Sequence, residues 1–371
     1  MKILTNLTDN KNSSINRSFS DLSQFINRQS RVDLVGINIV QSIEVKERTS
    51  IINKAKIRDV FLPFEKISNP LSNDISTLED IKTKYEVVIE KFRSITIEEK
   101  PDAIILNGTY AIPWALMYAT KDLNIPTFVH YHGLLTKEVA FRPDKDRNIF
   151  RQMERQFDNS YLKYIFPSNL AKKAVESEVF GHEIKSSLIL PNPIPNLFFN
   201  SKLESKRKGI GFVGRWTPIK NLEFCINLAN YLNSIKSKNK ISLVINKMDS
   251  NKKLPGNAKK LGPFNKTQMK KFYQSIGAVI SPSFFETYGC VAQEAVATGT
   301  PALVNKNMGV AEILDKYGLS DLIIDFASPA KVFQKIEDIS GEVIDPKIRN
   351  RLKQDLTADA LYPQMINFVS R

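Results

Sequence analysis

Short apolar, β-branched runs alternate with helix-period patterns along most of this chain, and that alternation does more than any other feature to limit the fold. MKILTNL, VDLVGINIV, PDAIILN, TFVHYHG and YIFPS are apolar on both faces and end in polar punctuation, as buried parallel strands do. Between them, residues 19–27, 80–97, 111–123 and 149–157 carry helical spacing. LPNPIPNLFFNSKLESKRKG then interrupts the pattern with three prolines and a basic run, which reads as a linker. The alternation restarts with IGFVG, a helix over 222–232, ISLVIN, a helix over 266–275, GAVISPS, a helix over 291–298, PALVN and DLIIDF. Strand–helix–strand units in series predict an α/β protein of two doubly wound, Rossmann-like parallel-sheet domains. The 371 residues suffice for two such cores. The expected domains are 1–195 and 205–355. Residues 347–371 read as helical, with Pro363 kinking or ending a segment, and 356–371 are expected to cross back to the first domain.

Several chemistries are excluded early. Two cysteines, Cys225 and Cys290, cannot form a disulfide scaffold or a Cys-rich metal module, and three histidines with no HExxH exclude a zincin. No apolar run is long enough for a signal peptide or a transmembrane helix, which predicts a cytoplasmic protein. Gly209–Gly214 spells GxGxxG, but a dinucleotide loop follows a strand, and here the strand lies inside the motif. Asp144-Lys145-Asp146 spells DxD and is expected to be an exposed charge cluster in a loop rather than a metal-nucleotide site.

One stretch concentrates chemistry. After the strand ending in Ser281-Pro282-Ser283 comes a loop with Glu286, Thr287, Tyr288 and Gly289, and a helix beginning near Cys290 that carries Glu294. Ligands of open α/β sheets bind at the carboxyl ends of strands. Gly289 allows a sharp turn and close backbone approach, and the following helix start can hold an anion or sugar hydroxyls. An ionised carboxylate accepts from two hydroxyls at once, so two of them suit a hydroxyl-rich ligand. Arg215 and Lys220 lie on the loop between strand IGFVG and the next helix, so both charges can flank that helix's N-terminus.

This string resembles the carboxy-terminal pattern of the retaining GT-B glycosyltransferases of family 4, also called glycosyl transferases group 1. The resemblance rests on Pro282 to Gly289, on Glu294 to Pro301 with its Glu-x7-Glu pair, and on Gly309-Val310-Ala311-Glu312. GFVGRWTPIKN resembles a second family pattern, with Arg215 and Lys220 in place, and FVHYHG, YIFPSN and LPNPI resemble strand-end and linker motifs of the first half. It implies two domains facing a central cleft. It also implies a nucleotide-sugar donor (UDP-, GDP- or ADP-linked), retention of anomeric configuration, and no metal or other cofactor. Glu286, His132, Arg215 and Lys220 would be catalytic. Arg215, Lys220, Thr287, Tyr288, Gly289, Cys290 and Glu294 would hold the donor: the two cations its diphosphate, Glu294 its ribose. Glu286 would sit by the sugar. His130 and His132 alternate on one strand and would face the same way unless the chain bends at Tyr131; His132 is preferred because the strand must end at Gly133. His182 lies in a polar loop and reads as solvated. The acceptor, a sugar, a glycolipid or another molecule, is not named by these motifs. A sugar phosphorylase, a nucleotide-sugar epimerase and a catalytically silent binding subunit remain alternatives on the same fold.

Three departures from the family pattern stand out. The stretch after the first strand, TNLTDNKNSSINRS, has no glycine, the loop after ISLVI is likewise glycine-free, and Gly277 stands where an acidic residue is common. The formal charge of +14 is also uneven. Residues 201–271 hold 17 basic and 3 acidic side chains, while the remainder is nearly balanced. With no nucleic-acid motif present, that excess fits an anionic donor, or contact with the inner face of an anionic membrane if the acceptor is a lipid, rather than nucleic acid.

Overall fold

A computed structural model of the chain describes all residues except 9–13, 30–31, 68–70, 201–206 and 246–253. The glycine-free loops after the first strand and after ISLVI fall largely among these, outside the described residues, as does the whole of 201–205 between the two expected domains. The chain divides into two units. One comprises Met1–Pro167, Ala171–Leu190 and Leu361–Arg371, the other Ser168–Leu170 and Pro191–Ala360.

Among the described residues, the first unit is built on an eight-stranded sheet. Its strands are β1 (Lys2–Asn6), β2 (Asp33–Gln41), β3 (Lys46–Ile52), β4 (Ala55–Leu62), β5 (Ala103–Asn107), β6 (Thr127–His130), β7 (Leu162–Phe166) and β8 (Ser187–Ile189). Their order is β3-β4-β2-β1-β5-β6-β7-β8, and every pairing is parallel except β3 with β4. β1 and β5 are almost wholly buried, as strands covered on both faces must be. β3 departs from the expected all-parallel sheet. Its residues KERTSII are all exposed, and it reaches β4 through Asn53 and Lys54, both at positive φ, the geometry of a tight hairpin turn. A polar edge strand of this kind gives no apolar run to read.

Three further readings change here. The helix expected over 80–97 is two, Leu78–Lys84 and Glu86–Glu99, separated at Tyr85, whose buried ring packs edge-on against Phe64. Asp144-Lys145-Asp146 is not an exposed loop. It forms the first turn of the Asp144–Arg155 helix, and Asp146 is buried, accepting the Leu71 backbone N–H at 3.1 Å. The C-terminal helical stretch breaks at Thr357, between Pro346–Leu356 and Ala358–Val369, and Pro363 is accommodated inside the second helix. That last helix packs on the first unit. Tyr362 packs at a tilt against Phe25 and donates to the Ser18 carbonyl at 3.2 Å, and Phe368 meets Phe128 edge-on.

The second unit carries an all-parallel six-stranded sheet, again among described residues. Its strands are β9 (Ile210–Gly214), β10 (Ile241–Ile245), β11 (Ala258–Leu261), β12 (Ala278–Ser281), β13 (Ala302–Asn305) and β14 (Ile323–Ile324), in the order β11-β10-β9-β12-β13-β14. The literal GxGxxG is thus β9 itself. Gly211 is there for packing: a Cβ would lie 2.9 Å from the Phe272 ring of the Lys266–Ser275 helix. Gly277 has a similar cause, since a Cβ would collide with the Gly209 backbone oxygen at 3.0 Å and with Ser340 Oγ at 2.5 Å, so no acidic side chain fits. Leucine, valine and alanine from both faces of this sheet and its helices form one continuous core.

Candidate functional site

In the second unit the carboxyl ends of β9 and β12 lie side by side, and the loops leaving them interlock. β9 runs into Arg215, then into a short turn, Pro218–Lys220, and then into the Leu222–Ser234 helix. Asn221 adopts a left-handed conformation between turn and helix. Its side chain accepts the Phe224 N–H at 3.4 Å and donates to the Pro282 carbonyl at 3.2 Å. The Phe284 N–H reaches back to the Ile219 carbonyl at 2.9 Å. Two loops far apart in sequence are therefore one structure.

That structure brings Lys220 and Glu286 together. Lys220 Nζ lies 2.8 Å from Glu286 Oε2, and Ser283 Oγ donates to Glu286 Oε1 at 2.6 Å. Both ionic side chains are about one-fifth exposed, so the pair is partly desolvated and aimed at solvent. Arg215 is exposed, with no carboxylate within ion-pair distance among the described residues.

The Glu286 loop is held by the segment after β13. The Glu286 N–H donates to the Asn307 carbonyl at 3.2 Å, the Gly309 N–H to the Glu286 carbonyl at 3.0 Å, and the Val310 N–H to the Tyr288 carbonyl at 2.7 Å. Gly289 sits at φ 121°, which only glycine adopts without strain. A Cβ there would also meet Met308 and Val310 at 2.9 Å. It precedes the Cys290–Thr298 helix, whose first turn has no side-chain cap. Tyr288 serves this site from within: its ring is buried, burial pushes its phenol well up, and the hydroxyl donates to Gln293 Oε1 at 2.6 Å. Gln293 in turn donates to the Asn192 carbonyl at 2.9 Å, and Asn192 Nδ2 to Cys290 Sγ at 3.4 Å. Thr287 is buried, and its carbonyl accepts Ser168 Oγ at 2.7 Å. Glu294, on the helix, is half-buried and takes the Tyr273 hydroxyl on Oε2 at 3.2 Å.

Glu312, at the end of the Gly-x-x-Glu string, clamps the chain near 169. Its carboxylate accepts the N–H groups of Asn169 (3.0 Å) and Leu170 (2.6 Å) and the Asn169 side chain (3.2 Å).

In the first unit, β6 ends at His130 rather than running to Gly133; the Tyr131 N–H still pairs with the Ile165 carbonyl at 3.0 Å, and the chain bends only at His132 and Gly133, so the two imidazoles stay side by side. His130 is fully buried with both ring nitrogens unpartnered, and burial holds it well below the usual imidazole range. His132 is half-buried, its ring 4.2 Å from that of His130, and its Nε2 lies 2.9 Å from Asn107 Oδ1 at the end of β5. Desolvation pulls it to about 4. The loop that follows is pinned by Glu154, a buried carboxylate accepting the N–H groups of Leu135 (2.9 Å) and Thr136 (2.7 Å) and the Thr109 hydroxyl (3.1 Å). His182 is exposed and paired with Asp158 at 2.8 Å.

Ser283, Tyr273, Asn107, Glu154 and Asn221 orient the expected residues; Ser283 and Asn221 lie inside the family-like strings, whereas Tyr273, Asn107 and Glu154 escape a motif reading. Of these three only Asn107 carries a signal, a polar residue at a strand's carboxyl end.

The two histidines have a consequence for pH dependence. Both are neutral in the folded chain, whereas in the unfolded chain they bind protons below about 6.5. Their contribution to stability is therefore complete above about 6.5 and lost as pH falls toward 4. We expect the thermal midpoint to fall between pH 6.5 and 5, and His130→Leu to flatten that slope. Parallel slopes in calorimetric scans of the two proteins would refute the burial argument.

Comparison with known proteins completes the description. Residues 193–355 match the family of glycosyl transferases group 1, and residues 83–194 match glycosyltransferase family 4. An uncharacterized glycosyltransferase of Methanocaldococcus jannaschii is 44% identical over 54 residues, 15% of this chain and 14% of that protein. The chain thus aligns with only a small part of that relative's length. Sucrose-phosphate synthase from Thermosynechococcus elongatus superposes with a TM-score of 0.74 at 15% identity, over 99% of this chain and 98% of that one. An E. coli trehalose-6-phosphate protein bound with UDP-2-fluoro glucose superposes with a TM-score of 0.72 at 11% identity, over 100% and 99%. At such identities the likeness is one of fold.

Proposed function

Because the chain belongs to the glycosyltransferases of group 1 and family 4 and has their GT-B fold, we propose that it transfers a sugar from a nucleotide-sugar donor to an acceptor, with retention of anomeric configuration. The observation that carries this reading is the Lys220–Glu286 pair at the joined carboxyl ends of β9 and β12, beside the glycine-started helix that bears Glu294. Departure of the nucleotide leaves negative charge on a diphosphate. Lys220 and Arg215 are the fixed cations placed to take it, and preorganised charge aimed at a developing anion often contributes more to rate than any other effect. Lys220 would then exchange part of its contact with Glu286 for a phosphate oxygen. Glu286, still oriented by Ser283, would be released to accept sugar hydroxyls. Glu294 would accept from the ribose, and the backbone of Thr287 to Cys290 would line the diphosphate. His132, neutral at physiological pH, can accept or donate a hydrogen bond to a sugar hydroxyl, with Asn107 fixing its ring. Two protein cations make a metal unnecessary for charge neutralisation.

A thermal-shift screen of UDP-glucose, GDP-mannose and ADP-glucose, each with and without Mg²⁺, tests the proposal. A donor at about 100 times its Kd stabilises the folded state by about 2.7 kcal/mol. We expect one base series to raise the midpoint by several degrees without Mg²⁺. If no nucleotide sugar shifts it, the proposal fails; a shift seen only with Mg²⁺ would overturn metal independence.

A further inference from the structure

The second unit holds a cavity of about 980 Å³ at the end of its sheet opposite Glu286 and Lys220. Gly209, Lys240 and Ile276, which line it, immediately precede or lie near the starts of β9, β10 and β12. Its walls are the outer strands β10 and β11 on one side and the Lys266–Ser275 helix on the other, and Phe264, Phe272 and Leu261 supply an apolar floor. Six cations surround it: Arg207, Lys208, Lys238, Lys240, Lys259 and Lys271. One acid, Glu337, also lines it, and that carboxylate already accepts Asn239 Nδ2 at 2.9 Å.

Their clustering about a single acid sets these cations apart more than the lack of a partner does, since Lys100, Lys121, Lys163 and Lys185 of the first unit also have no carboxylate within ion-pair distance among the described residues. In the first unit, Lys46, Lys56, Lys82, Lys84, Lys91 and Lys137 each lie within ion-pair distance of a carboxylate. Around the cavity no lysine does, among the described residues. Arg207 is more telling, because it is buried, only 6% exposed. Its guanidinium donates to Thr300 Oγ1 at 3.1 Å and to the carbonyls of Gly341 (2.8 Å) and Glu342, and among the described residues no carboxylate is within ion-pair distance. Buried charges are normally paired, because an isolated one costs several kcal/mol in desolvation. Burial accordingly pushes this guanidinium down. The volume is that of a small-molecule site, not of an extended nucleic-acid track.

We infer that this cavity is a second anion site, separate from the proposed donor site, which takes a phosphate-bearing ligand with an apolar body resting on Phe264 and Phe272. A soluble phosphorylated metabolite and an anionic phospholipid headgroup share that chemistry, and the test distinguishes them. The full chain carrying Lys220→Ala, so that the donor site contributes little, is titrated with inorganic pyrophosphate by calorimetry. The same protein is sedimented with phosphatidylcholine vesicles with and without phosphatidylglycerol. Adding Lys238→Glu, Lys240→Glu and Lys271→Glu is expected to weaken binding at least tenfold. A control with the same charge change outside the cavity (Lys236→Glu, Lys260→Glu, Lys266→Glu) is expected to weaken it less than threefold. All six side chains are exposed, and the corresponding glutamine triple replaces the cavity variant should that one unfold. Loss of pyrophosphate binding in the cavity variant supports a soluble ligand. Loss confined to the phosphatidylglycerol vesicles supports a headgroup. Absence of both kinds of binding in the parent, or equal weakening by the control, overturns the site.

Discussion

Replacing Lys220 with alanine should lower kcat/KM by about 10²-fold or more while leaving the thermal midpoint nearly unchanged. The first figure is the scale for losing one preorganised donor to developing negative charge. The second follows from exposure: the Lys220–Glu286 pair is partly solvated on both sides, and such pairs contribute about 0–1 kcal/mol to stability. The two readouts therefore part company, which a structural lysine would not allow. Lys220→Arg should recover only part of the loss, since a forked guanidinium does not reproduce a compact ammonium held against Glu286 and the Ser283 loop. Steady-state rates with whichever donor the thermal screen selects are the measurement. Turnover within a factor of about three of wild type in Lys220→Ala would remove the diphosphate assignment, since one lost stabiliser costs far more.

Gly309→Ala is expected to be worse than its single methyl group suggests. Gly309 has ordinary helical dihedrals, so the constraint is one of space. A Cβ at this position would overlap the Thr287 carbonyl oxygen and the Ser168 hydroxyl, and would lie 2.7 Å from Ser168 Cβ. Two of the three are hydrogen-bonded to each other, so neither can yield alone. Overpacking of this kind costs about 1–3 kcal/mol. The displacement falls on the Thr287–Gly289 backbone, so donor affinity should drop about tenfold or more alongside the midpoint. Ser168→Ala removes the hydroxyl from the crowded spot, and in combination with Gly309→Ala it should restore part of the donor affinity. Two effects that merely add would show that Ser168 is not the obstacle.

The contrast between these residues explains how much can be read from sequence. Buried parallel strands such as AIILN and ISLVI declare themselves because both faces are apolar. The exposed edge strand β3 has no such mark, and its pairing depends on a turn at Asn53 and Lys54 whose φ values cannot be read from residue types alone. Asp146 reads as solvated because its neighbours are charged; its burial depends on a backbone N–H 75 residues earlier. Pro363 reads as a break, yet the chain breaks at Thr357 and threads the proline through the helix. Glu286, Lys220, Arg215 and Glu294 stand out as candidates because they fall in loop strings at strand ends. Ser283 and Asn221 stand in the same strings as Glu286 and Lys220, but their bracing role shows only in the hydrogen bonds, and Tyr273 comes from an ordinary core position where no spacing marks it.

The return of Leu361–Arg371 to the first unit bears on how the protein is made. The first unit is not a continuous piece of chain: Phe128 and the Phe25–Ser18 face receive Phe368 and Tyr362 only after the intervening second unit has been synthesised. The second unit, Ser168–Leu170 with Pro191–Ala360, is complete once residue 360 has emerged. Domains that are contiguous and emerge first normally fold first during synthesis. Between these two units the order of birth and the order of completion are inverted: the first unit begins before the second and closes after it. A nascent chain halted before residue 361 would carry a finished carboxy-terminal unit beside a first unit whose apolar face is still uncovered.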